Sequence, residues 1–139
     1  MFEEIKKAGF ADVDAYDALE ALETKHFAPR PIIYVCSPYS GDIAGNVEKA
    51  KKYSRFVVDE GGIPITPHLY MPSFLKEESE RDLAIFMDLE LLTRCSEVWV
   101  FGSNISAGMQ AEIKRARWKN YRLRYFTEEL EEVQDVCNH

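Results

Sequence analysis

The stretch Glu97-Val-Trp-Val-Phe-Gly-Ser-Asn-Ile-Ser-Ala-Gly-Met-Gln-Ala-Glu112-Ile-Lys-Arg-Ala116 decides how this chain folds. It reads as a buried strand from Val98 to Phe101, a loop of small residues from Gly102 to Gly108, and a helix carrying Glu112 about one turn in. A strand that feeds a helix through such a loop sets backbone N–H groups and one early side chain at the carboxyl edge of a sheet. Open α/β folds bind their ligands at that edge. A carboxylate held there is a candidate nucleophile or base.

The same alternation extends in both directions. Upstream, Ile32 to Cys36 is a continuous apolar run, as expected of a strand covered on both faces. Asn46 to Glu60 has helical spacing through Val47, Ala50, Ser54 and Val57, with Asn46 as N-cap and Gly61-Gly62 as the stop. Ile63 to Thr66 reads as a short strand and Pro67 to Lys76 as a loop. Glu78 to Arg94 reads as a helix with Leu83, Met87 and Leu91 on one face. Downstream, the helix after the opening stretch runs from Ser106 to Lys119, Arg122 to Phe126 is a strand, and Glu128 to Val136 a closing helix. This order predicts an α/β fold of flavodoxin or Rossmann type: a parallel sheet of four to five strands flanked by helices, with right-handed crossovers. Residues 2 to 25 look helical through Ile5, Phe10, Tyr16, Leu19 and Leu22, with a break near Gly9, and Ala28-Pro-Arg-Pro31 ends them. The expected organisation is a helical extension over 1–28 and an α/β domain over 29–139.

A chain of 139 residues fits one domain and can bury roughly 68% of its unfolded surface. Its net charge of −7 argues against polymeric nucleic acid and anionic membranes as partners. No window approaches the ~20 apolar residues of a membrane span, and Met1 to Phe10 lacks the apolar run of a signal peptide. Cys36, Cys95 and Cys137 show no paired spacing, which argues against a disulfide framework or a zinc site and for a reducing, cytoplasmic setting. No cofactor is expected.

Four segments could carry chemistry. Tyr34-Val-Cys-Ser-Pro-Tyr-Ser-Gly41 puts Ser37, Pro38, Tyr39, Ser40 and Gly41 directly after a strand, where backbone amides can hold a phosphate or hydroxyl. A tight βα turn explains the same residues. In Ile65-Thr-Pro-His-Leu-Tyr-Met-Pro72, two prolines stiffen a loop around His68, while Tyr70 and Met71 offer surface for stacking on a ring. His68 has no second His or Cys at ligand spacing, so it reads as a hydrogen-bonding residue rather than a metal ligand. Asp88 lies at the margin of an apolar helix strip and needs a partner or a role; Arg81 or Arg94 would serve as a structural partner. Glu112 shares a helix side with Met109 and Ala116, although an early glutamate also complements the helix dipole. Cys36 reads as a buried strand residue, Trp99 as core and Trp118 as rim packing.

The spacing Gly108-Met-Gln-Ala-Glu112-Ile-Lys-Arg-Ala116 resembles the nucleoside 2-deoxyribosyltransferase motif, in which a Gly, three residues, the nucleophilic Glu, three residues and an Ala follow one another. Asp88, eight residues before Ser96 at the next strand, is similar to the catalytic aspartate of that family. Tyr34 is similar to its Tyr that orients the nucleophile. The pattern SPYSG, PHLYMPSFL and the stretch from Trp99 to Glu112 resembles a branch of small bacterial and phage proteins in that superfamily. The resemblance implies cleavage or transfer at an N-glycosidic bond: Glu112 forms a glycosyl intermediate, Asp88 protonates the departing base, and Tyr34 holds Glu112 in line. It also implies a nucleoside or nucleotide ligand in contact with Ser106, Gly108 and Met109, and a homo-oligomer (dimer or tetramer) whose pocket is completed across subunits. Ser106 stands where many members of the family carry an Asp. A non-catalytic protein that binds or senses a nucleotide on the same scaffold, or a purely structural module, are the competing expectations.

Overall fold

Ile32-Ile-Tyr-Val-Cys36 forms an interior strand of the sheet because a run without charged side chains can be covered on both faces. The structure, a computed structural model, describes residues 13–24, 27–76 and 78–134. Helix α1 (Val13–Thr24) precedes strand β1 (Ile32–Cys36). Helix α2 (Ile43–Asp59), strand β2 (Ile63–Ile65) and two 3-10 turns (Pro67–Leu69 and Met71–Ser73) follow. Then come α3 (Arg81–Leu92), β3 (Glu97–Phe101), α4 (Ala107–Trp118), β4 (Arg122–Phe126) and β5 (Glu132–Val133).

The strands lie in the order β2-β1-β3-β4-β5; the first four are parallel and β5 runs antiparallel to β4. The expected α/β class with helices flanking a largely parallel sheet therefore stands. From β1 the chain steps outward to β2, then returns to place β3 on the other side of β1. That reversal opens a crevice at the carboxyl ends of β1 and β3.

Side chains alternate across each strand and divide the core in two. Ile33, Val35, Trp99, Phe101 and Phe126 pack with Tyr53 and Val57 of α2. Tyr34, Cys36, Val98 and Val100 pack with Leu92 of α3 and with Met109, Ile113 and Ala116 of α4. Gly61, at φ +93°, turns α2 into β2, and Gly62 lets the turn lie against Ile33 and Val57, where a Cβ would meet their side chains at 2.8 and 2.9 Å.

Several expectations need correction. Helix α2 starts earlier than Asn46 because Asp42 caps it, accepting from the Gly45 N–H at 3.2 Å; the Asn46 amide instead donates to the carbonyls of Tyr39 and Ser40. The closing helix over 128–136 is not formed in its described part. Leu130 takes a positive φ of 71°, and Glu132 pairs with Arg124 at 2.6 and 2.9 Å across the β4–β5 ladder. Leu83 is exposed rather than packed inward, and Ala84, Ile85, Asp88 and Leu92 form the inner side of α3. Trp118 projects into solvent with Arg115 and Lys119 against its ring. The break near Gly9, Ile5, Phe10, the side chain of Leu22, Val136, Cys137, Asn138 and His139 lie outside the described residues.

Candidate active site

The crevice predicted by the strand reversal is a hollow of ≈ 160 Å³ that opens to solvent. Three elements bring the two acids and most of the small polar groups of its lining. The loop after β1 brings Ser37, Tyr39 and Ser40; α3 brings Asp88; the start of α4 brings Ser106, Gly108, Met109 and Glu112. Helix α4 begins where it does because the Ser106 hydroxyl accepts from the Met109 N–H at 3.2 Å. That cap fixes the phase of the helix, so Glu112 turns inward with Met109, Ile113 and Ala116.

Glu112 is 4% exposed, and its Oε2 has no hydrogen-bond partner; its Oε1 receives only a long contact of 3.7 Å from the Cys36 thiol. Asp88 Oδ1 and the Tyr34 hydroxyl are likewise buried without a partner. A buried, unsatisfied polar atom costs roughly 1–3 kcal/mol, so several in one place mark a site kept for something other than stability. Burial raises the Glu112 carboxyl to about 8, against relief from Tyr34 and Cys36, with the charge of Asp88 adding to the rise. Burial also raises Asp88 to about 7. The Tyr34 phenol is driven well above its ordinary value by burial first and by Glu112 and Asp88 next. Tyr34 is close enough to influence Glu112, yet neither the phenol nor Oε2 meets strict hydrogen-bond geometry. Asp88 is not held by either neighbouring arginine: Arg94 pairs with Glu90 at 3.1 Å, and Arg81 makes no ion pair among the described residues.

His68 lines the hollow through a bond between its Nε2 and the Ser37 carbonyl at 3.0 Å and a tilted contact with Tyr39 at 5.2 Å. It therefore ties the loop after β2 to the loop after β1. Ser37 Oγ, 1% exposed, has no partner. Pro38, Gly41 and Tyr70 do not line the hollow, and Tyr70 lies against Phe74 at 6.4 Å and is 42% exposed. Tyr34 lies beneath the hollow, fully buried, rather than in its wall. Sequence reasoning missed Lys76 and Arg81, which line the hollow, and the apolar Leu75, Ala84 and Ile85. The two cations stand in a run of mixed charges that reads as a solvated surface. The seven-residue spacing of Arg81 and Asp88, two turns on one side of α3, is the signal that could have found one of them.

No curated protein is significantly similar to the chain in sequence. Among solved structures, a 2-deoxyribosyltransferase from the psychrotolerant bacterium Bacillus psychrosaccharolyticus superposes with a TM-score of 0.56 at 17% identity. The match covers 75% of this chain and 77% of that one, a likeness of fold. The profile of a domain of unknown function, DUF7768, matches residues 31–126, from the residue before β1 to the end of β4, and the chain belongs to that family.

Proposed function

We propose that this protein cleaves or transfers the N-glycosidic bond of a nucleoside or nucleotide, with Glu112 as nucleophile and Asp88 as proton donor. The observation that carries the reading is the pair of carboxyls, each with an oxygen left unpartnered, facing one hollow. Glu112 Oε attacks the anomeric carbon, a glycosyl ester forms, and the bond to the base breaks with its electron pair passing to the base nitrogen. Asp88 delivers its proton to that nitrogen. Water or a second base then displaces the sugar from Glu112, and the proton returns to Asp88. The transition state is oxocarbenium-like, so a carboxylate against the ring stabilises it before bonding to it.

Burial raises both carboxyls, so the pair resists carrying two negative charges at once and retains a proton that Asp88 can deliver. General acid assistance of this kind contributes roughly 3–5 kcal/mol. Positive charge developing on the sugar favours the ionised Glu112 as the reaction proceeds, and Tyr34 and Cys36 act in the same direction.

The experiment is a base-release assay over a panel of nucleosides and nucleoside monophosphates, with Glu112→Gln beside the wild type and intact-mass analysis for a sugar adduct on the protein. Base release by the wild type alone supports the reading. Binding without release, by both proteins, favours a nucleotide-binding protein on this scaffold.

A further inference from the structure

The charged groups of the hollow are sorted by depth. Of its acids, Glu112 is buried and Asp88 is half-buried with its Oδ1 enclosed, whereas its cations, Lys76 and Arg81, are solvent-exposed at the rim. Neither cation pairs with a carboxylate among the described residues. Among the described residues, the acids nearest in sequence do not neutralise them within the hollow. Glu78, Glu80 and Asp82 are absent from its lining, and Glu80 is turned to the backbone, accepting from the Lys76 N–H at 2.9 Å. That bond ties Lys76 to the residue that precedes Arg81 at the head of α3.

Two further features extend the same picture. Helix α4, twelve residues long, begins in the wall with Ala107 and Gly108, and an added Cβ at Gly108 would meet only the Ser106 hydroxyl, at 4.0 Å. First-turn N–H groups of a helix lack intrahelical acceptors and favour anions. Across from it, Ser37 Oγ is buried in the wall and unpartnered, a donor with nothing yet to bind. On α3, Arg81 precedes Asp88 by seven residues on the same side, a rise of about 10 Å along the axis. The hollow thus presents a proton donor at one end and cations roughly a nucleotide's length away.

We propose that the substrate carries a phosphate ester on its sugar, so that a nucleoside 5′-monophosphate is taken in preference to the nucleoside, with Lys76 and Arg81 holding the phosphate. This rests on the glycosidic-bond reading for where the sugar lies. On a chain of net charge −7, unpaired cations at the mouth of a pocket also draw an anionic ligand past the overall repulsion. Arg81 supplies a planar fork and Lys76 a point charge, a combination suited to phosphate oxygens.

The test pairs each nucleoside with its 5′-monophosphate, on the wild type and on Lys76→Ala/Arg81→Ala. Turnover of the monophosphate is expected to exceed that of the nucleoside by at least tenfold in kcat/KM at low salt. The double variant should erase the preference through a rise in KM for the monophosphate. Equal or better use of the nucleoside, or a preference that survives the double variant, overturns the proposal. If nothing is turned over, the glycosidic reading fails on its own, and calorimetric binding decides the phosphate claim. Tighter binding of the monophosphate that is lost in the double variant upholds it, and equal binding of both ligands sinks it. Ribose 5-phosphate and inorganic phosphate, as competitors, separate recognition of a sugar phosphate from retention of any phosphate: competition by the sugar phosphate at lower concentration is expected, and equal competition by both overturns the substrate assignment.

Discussion

The two faces of one sheet have been used in opposite ways. Against α2, Phe101 stacks between Tyr53 at 4.4 Å and Phe126 at 5.2 Å, and Phe56 meets Phe126 edge-on at 5.1 Å. The polar atom that enters this layer, Trp99 Nε1, donates to Glu97 at 3.0 Å, while Arg124 covers the Trp99 ring at 4.6 Å. Against α3 and α4, the same strands present Tyr34 and Cys36 beside an acid whose outer oxygen has nothing to bind. One face converts burial into stability. The other holds groups that burial penalises, which is the arrangement expected where a site was selected over a tight fit.

The sharpest way to break this contrast is through activity. Glu112→Gln keeps shape and volume, and is expected to lower base release by ~10³-fold or more in single-turnover assays. Asp88→Asn should cost ~10²–10⁴-fold, with the smallest loss for substrates whose base departs without protonation. Uniform loss across leaving groups would remove Asp88 from the role of proton donor. On the opposite face, Phe101→Ala should leave the chemistry in place but destabilise the fold by about 3–5 kcal/mol, read by urea unfolding.

Stability against pH offers a subtler separation. Glu112 is raised to about 8 in the folded chain, so between its ordinary range near 4.5 and that value the folded state binds more protons than the unfolded state. Stability therefore falls as pH rises across this window, and Asp88, raised to about 7, adds in the same direction from a lower start. Glu112→Gln should melt higher than the wild type, with a gap that widens from pH 5 to pH 8 and vanishes near pH 4. A constant gap across that range would mean that the variant repairs packing rather than relieving a buried charge. The smallest expected effect is at Cys36, whose thiol favours ionised Glu112 from 3.7 Å. Cys36→Ala should lower kcat/KM by less than about tenfold, the value of one weak hydrogen bond, and move the Glu112 limb of the pH–rate profile upward. An unmoved limb would leave Cys36 as packing alone.

The layout of strands and helices was legible because Ile32 to Cys36 and Val98 to Phe101 are unbroken apolar runs and Gly61-Gly62 punctuates them. Glu112 could be placed on the inner side of its helix from its i−3 and i+4 neighbours. What escaped reading depended on contacts between distant segments. Glu128 to Val136 has a helical pattern of acids and apolar residues, yet the pairing of Arg124 with Glu132 draws it into a strand. Tyr70 looked like a stacking surface, but the paired 3-10 turns direct Met71 inward and leave Tyr70 beside Phe74. Lys76 carries no local signal and Arg81 only its seven-residue spacing from Asp88, since their meaning comes from the hollow that they line.

The sheet's margins carry a last consequence. On one side β2 has three residues and a proline in the middle, so it offers a broken row of donors; on the other, β5 has two residues clipped by the Arg124–Glu132 pair. Growth of the sheet by an added strand from another chain is thus discouraged at both borders. Any lasting association of this protein must be made by helix flanks and loops, where it can also reshape the entrance that those loops surround.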